Sequence, residues 1–84
     1  MSDEIGLALR LARVACNRTQ WSVARQVNVH PVQLNLIEHG KRAPHPHQAR
    51  RILDALTKSA PKNQITLAVL DVARKAVGEN EPAG

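Results

Sequence analysis

The sequence predicts an all-α domain of five helices, and three observations carry that prediction. Apolar residues recur at three- and four-residue spacings along most of the chain. Pro, Gly and Asn punctuate the stretches between them. Aromatic content is almost nil, with one Trp and no Phe or Tyr, so Leu, Val, Ile and Ala must build the core. At 84 residues the chain is one small domain, near the size at which a single core is marginal unless helices pack well or the chain oligomerises. That leaves little room for an enzyme cleft, and no catalytic residue is expected.

The first helix should run over 3–16, with Ser2 as N-cap and the acidic Asp3 and Glu4 in its first turn, where they favour the helix dipole. Its inward stripe is Ile5, Leu9, Ala12 and Cys16, flanked by Ala8, Leu11 and Ala15, with Arg10, Arg13 and Asn17 on the opposite arc.

Residues 20–39 then place their apolar positions as two short helices crossing at a tight turn would. Val23 and Val27 are four apart, Val29 sits just past a break, and Leu34 and Ile37 are three apart on a second stripe. Ala24 marks the crossing, where a larger side chain would push the helices apart. Thr19 suits the first N-cap and Pro31 the first position of the second helix. Asn28 supplies the turn, where a left-handed conformation is expected. This is a helix-turn-helix, a motif that works mainly by laying its second helix in the major groove of DNA.

Gly40 should stop the recognition helix, and the loop 41–46 is stiffened by Pro44 and Pro46. A fourth helix over 47–57 would bury Ile52, Leu53 and Leu56. Residues 58–63, with Pro61, read as a linker whose Asn63 caps a fifth helix over 64–77. On that helix Ile65, Ala68, Val69, Val72, Ala73 and Ala76 share one side, with Leu70 and Val77 beside them and Thr66 as the one interruption. The apolar arc spans roughly 200°, against the roughly 100° of one-sided packing. A symmetric homodimer through those six residues would cover the excess. Gly78 should end the helix and leave a disordered tail over 78–84. The organisation expected is thus a DNA-binding unit over 1–57, a linker and dimerisation helix over 58–77, and the tail.

The motif extends beyond its two helices. A Gln opens the first (Gln20), an Ala follows four residues on (Ala24), and an E-x-G-K/R-x-x-P run closes the second (Glu38, Gly40, Lys41, Arg42, Pro44). These residues resemble the Cro/C1 (XRE) family of phage and plasmid repressors over roughly residues 3–57. The resemblance implies a lambda-repressor-like DNA-binding fold, here of five helices with the C-terminal one serving dimerisation. Asn28 departs mildly from the Gly usual in the turn. Pro31 departs from the polar residue common at the recognition-helix start, so less readout is expected there.

The outward side of residues 31–39 carries Val32, Gln33, Asn35, Leu36 and His39. Gln and Asn bond adenine bidentately, while Val or Leu meets a thymine methyl. Carried over by position, the resemblance implies base contacts from His30, Val32, Gln33, Asn35 and Leu36, with Leu36 alternatively a core residue. It also implies a phosphate clamp at Gln20, with Thr19 and Trp21 close by; Trp21 either donates its indole N–H to a phosphate or packs half-buried. Lys41 and Arg42 are expected phosphate anchors, His39 joins them, and Arg18 and Arg50 are further candidates. Glu38 is the one acid among residues 5–53, against eight basic residues, and needs a cation. In the related repressors an Arg of the first helix supplies it, and the matching position here is Arg13, a structural salt bridge rather than a DNA contact.

The net charge is +5, and the excess lies in the motif-bearing segment, since residues 54–84 hold four basic and four acidic groups. One Cys excludes an internal disulfide, and Cys16 on the inward stripe is no nucleophile. His30, His39, His45 and His47 lack zinc-site spacing, so neither metal nor cofactor is expected. No signal peptide is evident, and no apolar run reaches the ~20 residues of a membrane span, which points to a bacterial cytoplasmic protein. Three functions fit. The first is a homodimeric transcriptional repressor on a palindromic double-stranded DNA operator, plasmid- or phage-encoded, with half-sites about 34 Å apart. The others are an antitoxin-type DNA-binding protein and a non-specific nucleoid protein.

Overall fold

A computed structural model describes residues 2–79, with side chains described for 4–78, and every regular element among them is helical. In order these are α1 (Ser2–Ala15), α2 (Gln20–Val27), α3 (Pro31–Glu38), α4 (Pro46–Lys58) and α5 (Gln64–Glu79). The five-helix, all-α class read from the sequence is the one observed. Residue 2 already belongs to α1, while the side chain of the expected Ser2 cap and the tail from residue 80 onward lie outside what is described.

Local chemistry explains the boundaries. At α2 the Thr19 Oγ1 accepts from the Ser22 N–H at 3.1 Å, satisfying a donor with no intrahelical partner. The helix stops at Asn28, which takes the left-handed conformation (φ 59°, ψ 47°) while the Val29 N–H donates back to the Ala24 carbonyl at 2.9 Å. Asn17, at φ 57°, ends α1 in the same way, a stop the sequence reading placed inside the helical arc. Pro31 opens α3 and His30 caps it, its Nδ1 accepting from the Val32 N–H at 3.1 Å. The pattern repeats at α4, where Pro46 follows His45 and the His45 Nδ1 accepts from the His47 N–H at 3.3 Å. Gly40, at φ 71°, lets the Lys41 N–H reach the Leu36 carbonyl at 2.9 Å and closes α3. Asn63 Oδ1 caps α5 by accepting from the Thr66 N–H at 2.8 Å.

One core joins all five helices: Ile5, Leu9, Ala12 and Cys16 of the α1 stretch, Val23, Ala24 and Val27 of α2, Leu34 and Ile37 of α3, Ile52, Leu53 and Leu56 of α4, and Leu70, Ala73 and Val77 of α5. Within α1, Gly6 is buried against α3, and a Cβ built on it would lie 2.0 Å from the Ile37 carbonyl oxygen. The missing side chain is what lets the α1 backbone rest on the C-terminal turn of α3.

Three expectations are corrected. Leu11, placed beside the inward stripe of α1, is exposed, as are Leu7 and Val14. The second concerns the roll of α5, which packs most extensively on α1. Its inward stripe is Thr66, Leu70, Ala73 and Val77, so Thr66 faces the core rather than interrupting a solvent-side arc. Burying Thr66 is tolerated because its Oγ1 donates to the Ala15 carbonyl at 3.3 Å and so leaves no orphaned hydroxyl. Ala73, placed in the dimer interface by periodicity, is 0% exposed within the single chain and has no side-chain surface left for a partner. The helix also runs through Gly78 to Glu79 instead of ending there, since an exposed Gly inside a helix costs only about 1 kcal/mol.

Candidate nucleic-acid interface

The candidate surface is the outer edge of α3 with the first turn of α2 and the loop after Gly40. The 3.6-residue period sends Leu34 and Ile37 into the core, which leaves Val32 and Asn35 exposed and Gln33 and Leu36 half-buried. Leu36 therefore divides its surface between interior and solvent. His30 is exposed at the start of this edge, with its ring tied down as the cap of α3. His39 is exposed at the other end, its Nδ1 2.8 Å from the Asn35 carbonyl. Lys41 and Arg42 follow on the loop, both exposed.

Trp21, in the first turn of α2, is 66% exposed, so it is not the half-buried packing residue that was one of its two expected roles. Thr19 is exposed with its hydroxyl committed to the cap. Arg18 is held in a different network: Nε donates to Ser22 Oγ at 3.0 Å, Nη1 to Ser59 Oγ at 2.6 Å and Nη2 to Gln26 Oε1 at 2.9 Å. It ties the α1–α2 connection to the end of α4.

Behind the surface sits a buried ionic cluster. Arg13 Nε donates to Glu38 Oε2 at 2.7 Å and Nη2 to Oε1 at 3.0 Å, a bidentate pair with side chains 14% and 1% exposed. The third guanidinium nitrogen, Nη1, donates to the Arg18 carbonyl at 2.8 Å. A carboxylate at the C-terminus of α3 opposes the negative end of that helix's dipole, and Arg13 supplies the compensating charge. Among the described residues no buried side-chain polar atom lacks a partner.

Sequence reasoning did not anticipate what Gln20 does. Its Nε2 donates to Glu38 Oε1 at 3.0 Å, and its Oε1 accepts from Asn35 Nδ2 at 3.4 Å. Three helices thereby meet through four side chains, Arg13, Glu38, Gln20 and Asn35. Nothing in the spacing of residues 18 and 15 apart announces such contacts. The signal available, an acid alone in a basic segment, pointed to Arg13 only.

Among the described residues no group of three or more His, Cys, Asp or Glu side chains is placed to hold a metal ion. No helix among them is long and apolar enough to cross a membrane. A family model described as a helix-turn-helix domain matches residues 4–60, which takes in α1 from its first turn through α4 and stops short of α5. No curated protein and no solved structure matches the chain.

Proposed function

The chain belongs to the helix-turn-helix domain family, and from that premise we propose that it is a sequence-specific transcriptional repressor that binds a palindromic operator as a homodimer. The observation that carries this reading is the chemistry of the exposed α3 edge. Val32, Gln33, Asn35 and Leu36 bear amides and apolar groups, which suit base edges and thymine methyls. A non-specific binder would favour Lys and Arg there, because phosphate attraction carries no sequence information. Positive charge instead follows the helix at Lys41 and Arg42, where it would hold the backbone and set register. Thr19, Trp21, His39 and Gln20, the last through its backbone N–H at the start of α2, complete the proposed phosphate contacts, and His30 joins the base-reading set.

Dimerisation rests on α5. Ile65, Ala68 and Val72 are exposed and Val69 and Ala76 half-buried, an apolar strip left over after Thr66, Leu70, Ala73 and Val77 have filled the core. A two-fold pairing there would bury the strip and present two α3 helices together. Repression would follow from occupancy of a promoter. Selection of bound sites from random DNA tests the reading: an inverted repeat with centres about one helical turn apart supports it, and enrichment of DNA with no repeat refutes it.

A further inference from the structure

We propose that Gln20 is a positioning residue that sets which groups of the Asn35 amide face a base pair, and that the buried Glu38 carboxylate is what orients Gln20. This rests on the reading above that Asn35 meets a base edge in the major groove.

The reasoning starts from what each group is able to do. An ionised carboxylate only accepts hydrogen bonds. Turning the Gln20 amide over would set its carbonyl oxygen against Glu38 Oε1, two acceptors face to face beside a side chain that is 1% exposed. Nε2 must therefore point inward and Oε1 outward. The outward oxygen, in turn, accepts only a donor, so Asn35 meets it with Nδ2. At 3.4 Å that contact is long and contributes little energy by itself; its consequence is the sense in which the amide is turned.

Asn35 keeps one N–H and its Oδ1 free. Adenine offers an acceptor at N7 and a donor at N6 in the major groove, which match that pair, whereas guanine offers two acceptors at N7 and O6, one of which would face Oδ1. The cluster thus biases Asn35 towards adenine. A bidentate contact of this kind discriminates roughly 5- to 150-fold, the equivalent of about 1–3 kcal/mol.

The test compares the full-length protein with Gln20→Met, Asn35→Ala and the double variant, on duplexes that differ only by A or G at the base pair whose preference Asn35→Ala relaxes. Gln20→Met should lower the adenine preference several-fold at that same pair, and the double variant should lose no more than Asn35→Ala alone. Circular dichroism checks that each variant is folded. If Gln20→Met weakens all duplexes alike with the preference intact, or if the double variant loses clearly more preference than Asn35→Ala alone, the positioning role is overturned. If Asn35→Ala relaxes no base pair, the base-reading assignment itself fails, and the positioning role with it.

Discussion

Gly6 and Ile37 are the point at which α1 is seated on the recognition helix: the Ile37 carbonyl oxygen occupies the space that a side chain at residue 6 would need, 2.0 Å from where its Cβ would stand. Helix propensity and packing oppose each other here. Alanine is the better helix former by about 1 kcal/mol, yet its methyl would collide with backbone that cannot rotate away.

Gly6→Ala should accordingly destabilise the domain in spite of the propensity gain. Overpacking of this kind costs about 2 kcal/mol, a fall in Tm of roughly 10 °C for a domain of this size. Thermal unfolding followed by circular dichroism measures it, and a raised Tm would show that α1 is free to shift.

Glu38→Ala should lower both Tm and DNA affinity. Removing one partner of the buried pair leaves the Arg13 guanidinium without its carboxylate, at a cost on the order of 3 kcal/mol. Replacing both residues, Arg13→Met with Glu38→Leu, should recover much of the stability, because the desolvation penalty of both charges disappears. An unchanged Tm in Glu38→Ala would count against a structural role for the pair.

Lys41→Ala and Asn35→Ala should differ in kind. Loss of one phosphate contact weakens all sequences alike and reduces the slope of log affinity against log salt by about 1. Asn35→Ala should relax preference at one base pair per half-site and leave the slope in place. Titrations on operator and random duplexes at several salt concentrations separate them, and identical behaviour would erase the distinction between reader and anchor.

Ile65→Glu should convert the proposed dimer to monomer without unfolding the chain. The side chain is 76% exposed in the single chain, so the substitution removes no core contact and places a charge in the proposed interface. Sedimentation velocity reads the outcome; a dimer of undiminished stability would place the interface elsewhere.

Cys16 should be slow to label. Burial pushes its thiol pKa up, an effect that the nearby Arg18 charge only partly opposes, and the Sγ lies 3.7 Å from the Leu56 carbonyl, as an S–H donor would. A raised pKa means less thiolate at any given pH, and the thiolate is the reactive form. Reaction with a disulfide reagent at about pH 8 should proceed quickly only after denaturant is added, and fast labelling of the folded protein would contradict the buried environment.

Much of this architecture was legible before any coordinates. Thr19, Asn28, Pro31, Gly40 and Asn63 act within a few residues of themselves, so their effect on helix ends follows from local sterics and hydrogen bonding. The exposed edge of α3 follows equally from the spacing of Leu34 and Ile37. Position 17 was less legible because its left-handed turn sits within an otherwise helical pattern, and Asn tolerates both conformations.

What the sequence by itself determined is the set of five helices, most of their stops, and the turn that sets α3 against α2, because these depend on residues close together along the chain. Only the tertiary structure decided that Thr66 and Ala73 face inward, that Gly6 makes room for a carbonyl, and that Gln20 joins Glu38 to Asn35. Each of those depends on what a distant backbone or side chain presents at the contact: the Ala15 carbonyl that satisfies a buried hydroxyl, the Ile37 oxygen that excludes a methyl, the carboxylate that accepts an amide N–H. Periodicity ranks faces by polarity, whereas packing ranks them by whether every polar atom in the contact finds a partner.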